Sequence, residues 1–138
     1  MDVDGDNSIY AQAGLRKSAQ PLTFTLEVSM RKLHLALAVS NIEQSVADYS
    51  ARLGALPVSS VPGEYALWRT ETLNLSIRKT SEPSGAMRHL GWEDTEATEF
   101  STEIDCNGIV WEKFAASHQA QEINEIWPSA NYQPAINL

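Results

Sequence analysis

Among 138 residues there is one cysteine, Cys106, so no intrachain disulfide is available and the fold must be held by its core. Scarce thiol of this kind fits a reducing cytoplasm, which is the expected location. Long apolar runs are missing as well: none approaches the roughly 20 residues needed to cross a bilayer. Positive charge is scarce, with 10 Lys and Arg against 18 Asp and Glu and a net charge of −8. That deficit argues against nucleic acid and anionic membrane as main partners, since both require concentrated Lys and Arg. It leaves small-molecule binding open, because a local site can differ from the global field. The opening MDVDGDNSIYAQAG lacks the basic-then-apolar order of a secretory signal. It is no calcium loop either: Asn7 and Ala13 stand where an EF-hand needs Gly and a bidentate Glu.

What is present suits one domain with a buried core: 43% hydrophobic and 20% charged residues. Residues 1–29 read as an N-terminal extension with a candidate strand, LTFTLEV, over 22–28. Residues 30–115 carry the compact pattern. Residues 116–138 are a C-terminal tail, in which Glu122 to Trp127 forms either a short strand or a short helix before Pro128.

RKLHLALAV (31–39) alternates strictly. Leu33, Leu35, Leu37 and Val39 make a greasy face, while His34, Ala36 and Ala38 make a sparse one. A helix follows. Ser40 and Glu43 fit a capping box, Ile42, Val46, Tyr49 and Leu53 recur at helical spacing, and Gly54 suits the C-terminal cap. Strands are then expected in LPVSSV, EYALWR and LNLSIRK, giving the order β-α-β-β-β. MRHLGWE alternates with His89, Gly91 and Glu93 on one face. ATEFSTEI and IVWEKFA follow, joined through DCNG, an Asn-Gly hairpin signal.

His34, His89 and Glu112 therefore fall on the sparser or more polar faces of three strands. Two histidines and a carboxylate suit a divalent transition metal (Fe, Mn, Zn, Ni or Co) with positions left open for water or substrate. Each residue alone has a plainer reading, since a lone strand histidine is usually a hydrogen-bonded structural group. Glu125, in NEIW, is the rival carboxylate.

The element order, DYSARLG at the helix end, RHLGW and DCNGIVWEKF together resemble the vicinal oxygen chelate superfamily of glyoxalases, bleomycin-resistance proteins and extradiol dioxygenases. YALWRTETLNLSIR and GIVWEKF look most like its carbon–arsenic lyase and cadmium-induced protein branch. The resemblance covers residues 31 to 115. It implies an α+β fold: a βαβββ module plus a truncated second β module, forming a curved, mostly antiparallel sheet around a cavity. It implies metal ligation by His34, His89 and Glu112, with an optional fourth-strand ligand position near Asn74. Asp48 departs from the family's aromatic, and Cys106 from its turn proline. The cysteine pair that grips trivalent arsenic is absent. A helix and a strand of the second module are missing, which a homodimer partner or residues 22–28 would make good.

The expected function is a small metal-dependent lyase, isomerase or dioxygenase acting on a small metal-chelating substrate. Asn74, Ser76, Arg78, Trp92 and Phe114 are the expected substrate contacts, and Glu93 is a candidate catalytic base. The alternative is a metal-free drug-binding protein of the bleomycin-resistance type, its pocket lined by Trp68, Trp92, Trp111 and Phe114.

Overall fold

Strand β1 (Arg31–Val39) lies inside a seven-stranded mixed sheet in the computed structural model, which describes residues 30–134. The strand expected at 22–28 lies outside the described residues. Helix α1 (Ile42–Leu53) follows, then β2 (Ser59–Val61), β3 (Tyr65–Arg69) and β4 (Leu73–Lys79). The second half holds β5 (Met87–Asp94), β6 (Ser101–Ile104), β7 (Val110–Phe114) and helix α2 (Ala116–Ile126). The chain is of the α+β class. Its sheet order is β2-β3-β4-β1-β5-β7-β6, with β1/β4 and β5/β7 parallel and the other neighbours antiparallel.

Local chemistry explains most boundaries and corrects some expectations. The N-cap of α1 is Asn41, whose Oδ1 accepts from the Gln44 amide at 2.9 Å, so Ser40 is not the capping residue. Glu43 accepts from the Gly63 amide at 2.8 Å instead of reaching back, which ties α1 to the β2–β3 turn. Gly54 ends the helix in the left-handed conformation at φ 67°. The strand expected over ATEFSTEI begins only at Ser101, because the Ala97 amide donates to the Asp94 carbonyl at 3.0 Å and folds the chain into a turn. The DCNG connection is built by Asp105, whose carboxylate accepts from the amides of Asn107 and Ile109 at 2.8 and 2.9 Å and from the Trp111 indole at 2.8 Å.

Both faces of the first half of the sheet are covered. Val39, Ala66, Trp68, Leu75 and Ile77 pack with Ile42 of α1 on the greasy side. The opposite side is no open surface. The tail folds as an eleven-residue helix, longer than the segment expected at 122–127, and lays Ala120 and Ile123 on Tyr65 and Leu67 beside Tyr132. The α2 backbone starts cleanly because His118 Nδ1 accepts from the Ala115 amide at 2.9 Å. The small side chains beside His34 are thus interior. Ala36 is 0% exposed, whereas Leu33 on the greasy face is 37% exposed.

Candidate metal centre

Register brings the three ligand candidates together. His34 opposes Gly91 and Ala36 opposes His89 across β1 and β5, while Gly91 pairs with Glu112 on β7. Paired residues point to the same side of a sheet. His34 Nε2 lies 3.0 Å from His89 Nε2 and 3.7 Å from Glu112 Oε1, and His89 Nε2 lies 3.1 Å from that oxygen. One ligating atom from each residue fits within 4.8 Å of the others. Bonds of about 2.1 Å to one ion put neighbouring ligand atoms about 3.0 Å apart at right angles and about 3.4 Å apart in a tetrahedron. The three separations suit a shared divalent ion with room for further ligands.

The buried surroundings decide which nitrogen of His34 is free. Glu93 is held by Arg69 through Nε and Nη2 at 2.9 and 2.6 Å, and a carboxylate only accepts. The Asn74 amide therefore turns its Nδ2 to Glu93 Oε1 at 2.8 Å, and donates also to Gln119 Oε1 at 2.8 Å. Its Oδ1 is left facing His34 Nδ1 at 2.9 Å. Nδ1 must then carry the proton, and the Nε2 lone pair points at His89 and Glu112. Burial also lowers the His34 pKa below 6.5 despite the Asn74 hydrogen bond, so the ring is neutral near pH 7. Metal ligation requires such a neutral, oriented imidazole. Phe114 closes the side, its ring edge-on to His34 with centroids 5.0 Å apart.

Gly91 makes the Glu112 placement possible. A Cβ there would collide with the Glu112 carbonyl oxygen and come within 2.9 Å of its backbone C and N. Only glycine lets β7 approach β5 this closely. A bulge adds the next feature. Ala36 opposes His89 but Leu37 opposes Met87, so Arg88 is the extra residue on β5. Strict alternation would send Arg88 to the greasy face; it lines the site instead.

The metal set opens into a cavity of about 150 Å³. Of the expected contacts, Ser76, Arg78 and Phe114 line it. Asn74 lies behind His34 rather than in the cavity. The parallel registers explain this: Ala36 pairs with Ser76 and Gly91 with Glu112, each two residues after a histidine. Ser76, not Asn74, holds on β4 the place that Glu112 holds on β7. Two further expectations are corrected. Trp92 faces the other side of the sheet, opposite Leu33 and Lys113, with the Arg31 guanidinium 4.4 Å from its ring centroid. Glu93 is buried against Arg69 and does not line the cavity, so it is not placed to act as a base on a ligand there.

Glu125 points elsewhere on α2, accepting from Gln121 at 3.2 Å. Glu122 is the helix carboxylate at the cavity, joined by Tyr65, Gln119 and Trp127, none of which the strand patterns singled out. Partial burial and then the Glu112 charge push the Glu122 pKa up. The signal was present in the helical spacing of Gln119, Glu122, Ile123 and Ile126, once the tail is read as a helix. No family model matches the chain, and no curated protein matches it.

Proposed function

We propose that this chain is a small metalloprotein of the vicinal oxygen chelate type, holding a divalent ion through His34, His89 and Glu112 and acting as a lyase, isomerase or dioxygenase on a small chelating substrate. The observation that carries this reading is the convergence of three ligating atoms within 4.8 Å around a histidine whose tautomer is fixed from behind. A bound Fe, Mn, Zn, Ni or Co ion would polarise a substrate oxygen, activate water or, if ferrous, engage O₂. The chain's own groups do the rest. Asn74 and Glu93 hold the His34 proton at Nδ1 and keep Nε2 available. Phe114 and the α2 residues Gln119 and Ile123 limit water access from the sides. Glu122, at the rim and free of the buried network, is the group placed to take or return a substrate proton. In this reading the sheet wraps the cavity and a second copy of the chain closes its shortened half.

Metal content after purification tests the assignment. Wild type and Glu125→Ala are expected to hold one ion per chain, and Glu112→Ala to lose it. Retention by Glu112→Ala would remove Glu112 from the set. Failure of the wild type to take up any of the five metals would favour a metal-free small-molecule binder.

A further inference from the structure

The cavity carries two arginines beside the three candidate metal ligands. Arg78 projects from β4 with its guanidinium 4.9 Å from the Trp127 ring centroid, so an aromatic face rather than a carboxylate positions it. Arg88 is turned into the same cavity by the β5 bulge. Among the described residues neither arginine enters an ion pair. Both are half-buried, and Glu122 is the carboxylate whose charge they share the cavity with, without coming within ion-pair distance of it. Tyr65 and Ser76 add neutral hydroxyls to the same wall. Glu112 and Glu122 offset the two arginines, and a divalent ion held by the His34–His89–Glu112 set would leave two positive charges to be met. The space, about 150 Å³, takes only a compact ligand.

We infer that Arg78 and Arg88 form an anion clamp, and that the ligand is a small dianionic oxyacid, a dicarboxylate or a phosphonate, one end at the His34–His89–Glu112 set and the other on the two guanidinium groups. This rests on the metal reading for one end of the ligand. Forked donors suit planar carboxylate and phosphonate oxygens, and neutral diols or catechols leave both arginines unmet.

The test is titration calorimetry with oxalate, methylphosphonate and ethylene glycol, on zinc-loaded and EDTA-treated protein, with zinc affinity measured separately. In the zinc-loaded protein one of the two anions is expected to bind, and ethylene glycol not. Arg78→Gln and Arg88→Gln are each expected to weaken the anion at least about tenfold while zinc stoichiometry holds. Preference for oxalate or methylphosphonate identifies the acid group. Equal affinity in wild type and both variants, or binding of neither anion, overturns the clamp. If Arg78→Gln does not fold, Arg78→Lys replaces it: loss of the fork still weakens binding, and unchanged affinity overturns the role of Arg78. If zinc does not bind, Fe, Mn, Ni and Co are tried in its place; if none of the five binds, the metal reading falls by itself, and the EDTA-treated arm decides the clamp. Anion binding there that disappears in the arginine variants sustains it; no binding overturns it.

Discussion

Asn74 Oδ1 lies 2.9 Å from His34 Nδ1, and the amide can sit only this way round because its Nδ2 faces the Glu93 carboxylate at 2.8 Å. The histidine tautomer is therefore dictated from two residues behind it. Asn74→Leu keeps the size but removes the link. It strands partners on His34, Glu93 and Gln119, each unmet buried group costing about 1–3 kcal/mol. Zinc or manganese titration should show affinity about 10- to 100-fold weaker, the range for losing a partner that orients a ligand. A variant that folds and binds metal as tightly as wild type would show that the ring orients itself.

The Arg69–Glu93 pair should give stability a distinct acid limb. Burial alone would raise the Glu93 pKa. Hydrogen bonds from Arg69 and Asn74, and the charges of Arg69 and Lys32, overcome that and hold it below 4.5. A carboxylate depressed in the folded state stabilises fully above its unfolded pKa, and the contribution is lost as pH falls through the folded value. Urea unfolding should therefore show this contribution level above about pH 5 and declining below 4.5. Glu93→Gln should flatten that limb. Arg69→Met, which leaves the carboxylate buried alone, should cost about 3–5 kcal/mol at neutral pH.

Much of the site was legible because strands report their faces with a period of two. That period alone put His34, Ser76, Arg78, His89, Glu112 and Phe114 on the correct faces of their strands. It does not reveal which strands become neighbours, and the resemblance puts its optional fourth position near Asn74, where the register of β1 and β4 puts Ser76 beside the site instead. Nor does it survive a bulge, which is why Arg88 was invisible. The tail was ambiguous because α2 opens without a side-chain cap at Ala115 and is held by a histidine from within its own first turn. Ser40 and Asn41 are both competent N-caps by residue type; the structure uses Asn41, with Glu43 bound to the Gly63 amide instead of closing a box on Ser40. Trp92 looked like a pocket aromatic by type, yet its own alternation with His89 already assigned it to the other face.

Metal linkage offers a measurement on the intact chain. A ligand that binds only the folded state at a hundred times its Kd adds about 2.7 kcal/mol, which for a domain of this size is a rise in Tm on the order of 10 °C. Wild type should show such a rise with at least one of Fe, Mn, Zn, Ni and Co. His89→Ala should lose most of it and Glu125→Ala none, since Glu125 bonds Gln121 rather than facing the cavity.

Gly91→Ala isolates the approach of β5 to β7. The new methyl meets the backbone of Glu112, a neighbour that cannot swing aside as a side-chain tip would. Relief requires β7 to move out, which strains its pairings with Leu90, Trp92 and Glu93 and carries the Glu112 carboxylate away from the histidines. The cost should be about 1–3 kcal/mol or more, as for overpacking elsewhere. The informative readout is the ratio of effects. Denaturant unfolding reports the strain, and metal titration of the folded fraction reports the displacement. A displaced β7 predicts weaker metal affinity even at temperatures where Gly91→Ala is fully folded. Lost stability with unchanged affinity would mean that the sheet yields on the β1 side and leaves the His34–His89–Glu112 geometry intact.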